Sequence, residues 1–227
     1  MRTSSLSART HSPGLNPNHS IMDGEDAEQN FKIMVLGDAG TGKTSIIRRY
    51  VHNFFSGHHK TTVGVDFHLK QMEVNGKTVR LQLWDIAGQD RYGHISRVYY
   101  KNAVGAMLVY DVSRPTTFET VALWKEQIDQ RVLLPNGEPI PVVLVGNKID
   151  LEEHQVDSEQ LDRYCEEKGF CKWFDTSAKF NHNIENAARF LVTKIMEHED
   201  LFVQKRQSQR SFQPSMGKSK GFSGTCC

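Results

Sequence analysis

The sequence predicts an α/β fold in which a mostly parallel sheet is covered by helices on both faces. Apolar runs of four to seven residues alternate with longer stretches whose apolar residues recur every three or four positions. This is the pattern of strands joined by crossover helices. Only one pair of neighbouring strands is separated by a tight turn, at Asn75 and Gly76, and an Asn-Gly pair favours a type I′ hairpin. We therefore expect six strands, one of them antiparallel.

The apolar runs place the strands in chain order. FKIMVLG, which begins at Phe31, is almost continuously apolar, as expected for a strand covered on both faces. VRLQLWD, AVGAMLVYD and IPVVLVGN follow, and CKWFD is a weaker run. Three intervening stretches have the helical period, so each should bury one face of a helix: they are TFETVALWKEQIDQRV, DSEQLDRYCEEKG and NIENAARFLVTKIMEH.

Length and composition predict one folded domain with two appendages. The 227 residues suffice for one well-buried domain over 30–200. Residues 1–29 are rich in Ser, Asn, His, Pro and Gly, which predicts a disordered arm. The last 27 residues, 201–227, should form a flexible basic tail, because positions 204–227 hold five basic residues and no acid. The rest of the chain has 23 basic and 27 acidic residues, a balance that does not indicate a nucleic-acid partner.

Targeting signals are weak. No apolar run approaches the roughly 18 residues that span a bilayer, and the first residues lack the apolar core of a secretory signal. We therefore expect a reducing compartment. Arg2 and Arg9, with no acid before Asp23, leave a mitochondrial presequence as an alternative, but Pro13 and Pro17 disfavour the amphipathic helix that it requires.

The first strand leads directly into GDAGTGKTS, which fits the pattern G-x-x-x-x-G-K-[ST] through Gly37, Gly42, Lys43 and Thr44. Glycines let successive backbone N–H groups turn inward around phosphate oxygens at the start of a helix. Lys43 can reach the outer phosphates, and the Thr44 hydroxyl can ligate Mg²⁺. A glycine-rich turn without a ligand is the alternative. The residues expected at the phosphates are Gly37, Asp38, Ala39, Gly40, Thr41, Gly42, Lys43, Thr44 and Ser45.

Two motifs after later strands, NKID and TSAK, predict recognition of guanine. They should lie in the crevice where open α/β sheets bind ligands. The Asp150 carboxylate can accept both N–H donors of guanine, the Lys148 stem can cover a ring face, and Asn147 can bond the base or brace the phosphate loop. The Ala178 N–H can reach guanine O6, and Lys179 offers a second stem. Alone, NKID is often a polar turn. The expected guanine contacts are Asn147, Lys148, Asp150, Ser177, Ala178 and Lys179.

A third motif, LQLWDIAGQDRY, predicts hydrolysis. Asp85 closes a strand and can hold Mg²⁺ through a water, and Gly88 permits close approach of its N–H to a γ-phosphate. Gln89 is then placed to orient an attacking water. Thr62, in KTTVGVDF, is the remaining candidate to ligate Mg²⁺ and sense the γ-phosphate. The alternatives are structural: Asp85 as the cap of a turn and Thr62 as an ordinary residue before a strand.

GDAGTGKT, TTVGVDF, WDIAGQ, NKID and TSAK, in this order, resemble a Ras-superfamily small GTPase over about residues 30–200. The resemblance implies a small G domain, a P-loop NTPase fold. VGVDF, RVYYKNA and the terminal CC are similar to the Rab branch. Four features resemble the Rab subgroup that serves lysosome-related organelles: the isoleucine of WDIAGQ, the segment SRPTTFE, the segment LPNGEPIPVVLVGNK, and the long N-terminal arm.

The resemblance implies further residue roles. Phe55 should lie against the guanine ring, and two switches, roughly residues 55–64 and 86–100, should order around the γ-phosphate and relax after hydrolysis. Lys43 and Gln89 are the implied catalytic residues. The implied effector surface comprises Phe67, Trp84, Ile86 and Tyr99. For its three aromatic residues, the alternative is an ordinary structural role in the core.

Three positions depart from the family pattern. Ala39 stands where Ras proteins have glycine beside the γ-phosphate, which bears on how an arginine finger enters. Asp90 replaces a glutamate after Gln89, and Ile86 replaces a threonine. Cys165 and Cys171 are expected to be inert thiols.

The resemblance also implies ligands, partners and location. The cofactors are GTP or GDP and Mg²⁺. The partners are an exchange factor, an activating protein, effectors, the prenylation machinery acting on Cys226 and Cys227, and a soluble carrier that shields the lipid. The implied location is the cytoplasmic face of endosomal and lysosome-related membranes, with a cytosolic pool, and mitochondria-associated membranes are the alternative.

The motifs together predict a membrane-anchored GTP/GDP switch that recruits effectors in vesicle trafficking. Because no arginine is evidently placed to meet the developing charge, we expect slow unaided hydrolysis, of order 10⁻⁴ to 10⁻² per second. Two other classes compete. A scaffold that does not hydrolyse is disfavoured by the joint presence of five residues: Lys43, Thr44, Thr62, Asp85 and Gln89. A nucleotide kinase or ATPase is disfavoured by NKID and TSAK and by the lack of room for a second substrate domain.

Overall fold

The computed structural model of the chain describes residues 29–58, 60–89, 97–151 and 157–201. Within them the strands are β1 (Gln29–Leu36), β2 (Val65–Val74), β3 (Lys77–Ile86), β4 (Gly105–Asp111), β5 (Val142–Asn147) and β6 (Lys172–Thr176). The helices are α1 (Lys43–His52), α2 (Arg97–Tyr100), α3 (Pro115–Glu119), α4 (Val121–Arg131), α5 (Ser158–Lys168) and α6 (Ile184–Met196).

The strands form one sheet in the order β2-β3-β1-β4-β5-β6. Only the β2–β3 pair is antiparallel, and the other four neighbouring pairs are parallel. Asn75 and Gly76, between β2 and β3, have φ of 52° and 74°. A type I′ turn requires positive φ at both positions. The predicted six-stranded sheet with one antiparallel strand is confirmed.

The sheet buries apolar side chains on both faces. Helices α1 and α6 cover one face, where Ile47 and Leu191 pack with Ile33 of β1. Helices α2, α4 and α5 cover the other face, where Trp124 packs with Leu144 of β5. All seven residues of β4 are buried, as its almost continuously apolar sequence predicts.

One predicted helix is two helices in the structure. The pattern of TFETVALWKEQIDQRV predicts a single helix, but α3 ends at Glu119 and α4 begins at Val121. The hydroxyl of Thr120, between them, lies 3.0 Å from both the Thr117 carbonyl oxygen and Asp38 Oδ2. A threonine hydroxyl that bonds the backbone one turn back competes with the regular helical ladder. The prediction of one uninterrupted helix is therefore wrong.

The topology brings the predicted motifs to one edge. Because β1, β3, β4, β5 and β6 are mutually parallel, their carboxyl ends meet there. The segments that leave these ends carry GDAGTGKTS, the loop after Asp85, the turn after Asp111, NKID and TSAK. This is the position at which open α/β sheets bind ligands.

Some predictions concern residues outside the described ranges. These are residues 1–28 of the N-terminal arm, the basic tail from residue 202 onward with Cys226 and Cys227, and the middle of the second switch with Asp90. Within the described ranges, no helix combines the length and apolarity that crossing a membrane requires.

Candidate functional site

The loop between β1 and α1, residues 37–42, forms a concave backbone at the start of a helix. Gly37, Gly40 and Gly42 have φ of 132°, 77° and 95°, which residues with a side chain rarely adopt. A Cβ at Gly42 would clash with the side-chain amide of Asn147. Glycine is therefore required both for the path of the chain and for the close approach of NKID to this loop.

Lys43 is held inside that loop. Its side chain is buried, and Nζ donates to the carbonyl oxygens of Gly37 and Asp38 at 2.7 and 2.9 Å. Burial lowers the pKa of Lys43 to about 8, although the carboxylates of Asp85 and Asp38 act in the opposite direction. A phosphate beside the ammonium would favour its charged form in the same way. Lys43 is thus placed to bind an anion in the loop.

Three oxygen-bearing side chains meet beside Lys43. Thr44 Oγ1 lies 2.8 Å from Thr62 Oγ1 and 2.5 Å from Asp85 Oδ2, and Thr62 Oγ1 lies 3.4 Å from the same carboxylate oxygen. Asp85 has no exposed surface, and burial raises its pKa. Its other oxygen, Oδ1, finds no hydrogen-bond partner within the described ranges. Hydroxyl and carboxylate oxygens are the ligands of hard cations, so this set fits Mg²⁺.

An open cleft of about 250 Å³ adjoins these oxygens. Gly88 and Gln89 line it together with Thr44 and Thr62. A Cβ at Gly88 would clash with the backbone of the phosphate loop at Ala39. The loop after β3 therefore approaches the phosphate loop closely, and it places the exposed Gln89 at the cleft.

Asn147 ties the phosphate loop to the segment after β6. It is buried, and its Nδ2 donates to the Thr41 carbonyl oxygen at 2.9 Å. The Ala178 N–H donates to Asn147 Oδ1 at 3.2 Å. The sequence leaves open whether Asn147 bonds the base or braces the phosphate loop, and in this structure it braces the loop. The Ala178 N–H, predicted to bond guanine O6, is directed toward Asn147 Oδ1 in this structure.

Asp150 is held at the opposite end of the site. The Ser177 hydroxyl donates to Asp150 Oδ1 at 2.5 Å, and Lys179 Nζ lies 3.9 Å from Oδ2. The carboxylate side chain is 7% exposed. Lys148 has a positive φ of 72°, and its Nζ donates to Asp111 Oδ2 at 2.7 Å. The structure thus brings the predicted guanine-recognition residues together.

Sequence reasoning missed Asp111 and Arg114. Asp111 is the last residue of β4 and is almost fully buried. It accepts from Ser113, from Arg114 Nε at 2.8 Å and from Lys148. Burial alone would raise the pKa of Asp111, but these hydrogen bonds outweigh burial and lower it. The polar end of AVGAMLVYD, at the same sheet edge as the other motifs, was the signal that could have identified it.

The phosphate loop has two further supports. The Asp38 carboxylate accepts from Thr120 Oγ1 at 3.0 Å and from Trp124 Nε1 at 2.9 Å. Arg114 Nη2 donates to the Ala39 carbonyl oxygen at 3.0 Å. The sequence indicated that Asp38 belongs to this loop, but not that its side chain faces away from the loop toward the start of α4.

The aromatic residues predicted to form an effector surface are neighbours. The rings of Phe67 and Trp84 are 5.9 Å apart, and those of Trp84 and Tyr99 are 6.4 Å apart. Phe67 is exposed, and Trp84 and Tyr99 are half-buried. Ile86 departs from the expectation, because its side chain is fully buried in the core and so lies beneath this surface rather than on it.

Phe55 is linked to the segment after β6 through Arg49, which lies over its ring and donates to the carbonyl oxygens of Ala178 and Lys179. It packs against the core on the α1 and α6 face and lies near the Arg49 guanidinium. It lines a small pocket with Thr44 and Ser45. Its contact with a guanine ring stays a prediction.

The predicted inert character of two cysteines agrees with their surroundings. Burial raises the pKa of the Cys165 thiol to about 11, and the nearby Asp162 acts in the same direction. Burial also raises the pKa of Cys171. Both thiols therefore carry little thiolate at neutral pH.

Known proteins are similar in sequence to this chain over most of its length. The model of the Ras family matches residues 32–197. Human Ras-related protein Rab-32 is 56% identical over 180 residues, which span 78% of this chain and 80% of that protein. Rab-32A of Dictyostelium discoideum is 57% identical over 176 residues, 76% of this chain and 80% of that protein. Human Rab-7L1 is 43% identical over 198 residues, 87% of this chain and 97% of that protein.

A family match of this extent assigns to this chain the activity of the family, which is the hydrolysis of GTP. Guanine nucleotide binding, usually with Mg²⁺, is equally general to these proteins. The chain belongs to the Ras family and is one of its Rab-like small GTPases, which hydrolyse GTP and regulate vesicle trafficking.

Proposed function

We propose that this chain holds GTP or GDP with Mg²⁺ in the cleft between the phosphate loop and the two switches. The site residues described above would bind the nucleotide and respond to its γ-phosphate. One observation supports this most strongly. Thr44, Thr62 and Asp85 converge within 3.4 Å beside the buried Lys43, and Asp85 keeps one oxygen without a partner in the described part of the chain. A bound Mg²⁺ would neutralise charge on the outer phosphates.

Recognition of guanine is assigned to Asp150. Guanine presents two adjacent N–H donors, and one carboxylate can accept both. The Ser177 hydroxyl fixes one oxygen of this carboxylate, which is consistent with a preorganised acceptor. The stems of Lys148 and Lys179 would supply apolar cover for the faces of the ring. Adenine lacks this donor pair, so the same site would disfavour ATP.

Hydrolysis is assigned to water attack in line with the leaving group, with Gln89 orienting the water and Lys43 stabilising phosphate charge. The exposed position of Gln89 at the cleft supports this role. Arg114 lies beside the phosphate loop, but its Nε and Nη2 already donate to Asp111 and to the Ala39 carbonyl oxygen. We therefore expect slow hydrolysis until an activating protein supplies a further charge.

Rab-like GTPases act on intracellular membranes with exchange factors, activating proteins and effectors. For this chain we assign effector contact to Phe67, Trp84 and Tyr99, where Phe67 is 46% exposed. The anchor would be two prenyl groups on Cys226 and Cys227. It requires the prenylation machinery and a soluble carrier that shields both groups in the cytosol. We place the protein on endosomal or lysosome-related membranes, with mitochondria-associated membranes as the alternative.

Replacing Gln89 should separate binding from catalysis. We expect Gln89→Leu to keep GTP affinity within about twofold and to slow hydrolysis about 10- to 100-fold, because the lost amide acts on the water and not on bound phosphates. Single-turnover release of phosphate from preloaded GTP measures this rate. Gln130→Leu is the matched control, since Gln130 is exposed on α4 and bonds Glu126. Equal hydrolysis by native and Gln89→Leu protein, alone and with an activating partner, would refute the catalytic role.

Replacing Thr44 should weaken metal-dependent binding. We expect Thr44→Asn to release GTP about tenfold faster or more, and GDP less so, because Mg²⁺ contributes more to triphosphate binding. Removing Mg²⁺ with a chelator should accelerate release from native protein strongly and from the variant little. Thr78→Asn, at an exposed position of β3, is the control. If the chelator accelerates both proteins equally, Thr44 is not a metal ligand.

A further inference from the structure

Arg114 connects two parts of the site that the motifs describe separately. Its Nε donates to Asp111 Oδ2 at 2.8 Å, and its Nη2 donates to the Ala39 carbonyl oxygen at 3.0 Å. The same Asp111 oxygen accepts from Lys148 Nζ at 2.7 Å. A continuous path of three hydrogen bonds therefore runs from Lys148, in the NKID motif, to Ala39 in the phosphate loop.

The backbone around Arg114 is fixed. Its N–H donates to the Asp111 carbonyl oxygen at 2.9 Å, and its own carbonyl oxygen accepts from the N–H and the hydroxyl of Thr117. Pro115 follows at the first position of α3 and restricts the backbone further. The guanidinium thus extends from a rigid turn, and it packs over Gly40 of the phosphate loop.

The charges around the guanidinium show what it faces. Asp111 is buried and negatively charged, and Lys148 shares its Oδ2. On the other side, Arg114 acts electrostatically on Lys43 and lowers the pKa of that lysine, although burial is the larger cause. Arg114 therefore adds positive potential on the outer side of the phosphate loop while it holds a carbonyl oxygen of that loop.

We propose that Arg114 is a positioning residue that fixes the phosphate loop at Ala39 to the base-side pair Asp111 and Lys148, and thereby slows nucleotide release. The proposal rests on the assignment of this cleft as the nucleotide site. Arg114 acts through Ala39, the position where this chain departs from the glycine of Ras proteins.

The planar guanidinium suits this task. Two of its nitrogens reach two acceptors in a fixed geometry, whereas one lysine ammonium is a point charge on a flexible stem. Arg114→Lys keeps the charge and most of the packing but cannot hold Asp111 and Ala39 in the same way. Arg114→Ala removes both. The series separates a bridging role from a role of charge alone.

The experiment measures release of a fluorescent GDP analogue in excess Mg²⁺ from the full chain and its variants. We expect Arg114→Ala to release it about tenfold faster, the factor that corresponds to one lost charge-assisted hydrogen bond. Arg114→Lys should also release it faster than native protein. Arg189→Ala is the matched control: Arg189 is exposed to a similar degree and likewise bridges a carboxylate, of Glu185, and a backbone carbonyl, of Glu73.

A second readout excludes a merely structural role. The ³¹P resonance of the β-phosphate of bound GDP should shift in both Arg114 variants and stay fixed in Arg189→Ala, because Arg114 contacts the phosphate loop and Arg189 does not. Should Arg114→Ala not fold, the lysine variant carries the test. Native release rates in both Arg114 variants, or full rescue by lysine, would overturn the bridge. Native protein that binds no GDP would overturn the proposed nucleotide site, and the bridge with it.

Discussion

Asp150→Asn should lower the affinity for GTP and GDP by about 10⁴-fold, the discrimination that a site built on paired hydrogen bonds reaches when one group is wrong. The native carboxylate is 7% exposed, and Ser177 holds it at 2.5 Å. An amide at this position offers the guanine donors one oxygen and sets its own N–H₂ against them. The loss should exceed that of a simple truncation, because buried donors would face each other.

The chemistry of this loss predicts a compensating ligand. Xanthine carries a carbonyl oxygen where guanine carries its 2-amino group, so an amide donor at position 150 would suit xanthosine nucleotides. We expect Asp150→Asn to bind xanthosine diphosphate more tightly than GDP, the reverse of the native order. Asp175→Asn, a half-exposed carboxylate at the end of neighbouring β6, should change neither affinity.

Titration of native and variant protein with GDP, GTP, ATP and xanthosine diphosphate measures these affinities. If native protein binds ATP as tightly as GTP, the assignment of Asp150 to guanine is wrong. If the variant loses all four nucleotides equally while its thermal stability falls, position 150 supports the fold rather than the base.

The sequence predicted the sheet, its one antiparallel strand and the convergence of the motifs, because these follow from local patterns and from topology. Buried strands are nearly continuous apolar runs, and parallel strands put their carboxyl ends at one edge. Lys43, Thr44 and Asp85 could be assigned to one site before any distance was known, since Lys43 and Thr44 follow the loop after β1 and Asp85 lies near the end of β3.

Features that depend on contacts distant in sequence were not predictable. The role of Asn147 as a brace needs the Thr41 carbonyl, 106 positions away. The contact of Arg114 with Ala39 spans 75 positions, and no local pattern marks it. The break at Thr120 likewise involves Asp38, which the helical period cannot register. Side-chain bonds between loops decide these features, and periodicity reports only which face of an element is apolar.

Changing Cys226 and Cys227 to serine together should move the protein from membranes to the cytosol. One lipid chain gives marginal, reversible membrane binding, whereas two chains, with about 0.8 kcal/mol for each buried CH₂, hold a protein firmly. Adjacent thiols in the terminal GTCC suit such a pair of chains. The five basic residues spread over positions 204–227 should add only secondary attraction to anionic lipids.

The GTP affinity of the double variant should equal that of native protein, since the proposed nucleotide site is built from residues between β1 and α6, and these cysteines are the last two residues of the sequence. Cys171→Ser, which removes a cysteine of the folded domain, is the control and should stay on membranes. Fractionation of cells that express each form, with mass spectrometry of the terminal peptide, measures both location and lipid. Cys226 and Cys227 are the one adjacent pair of cysteines in the sequence. A native tail without lipid, or a double variant that remains on membranes, would therefore show that this pair is not the anchor.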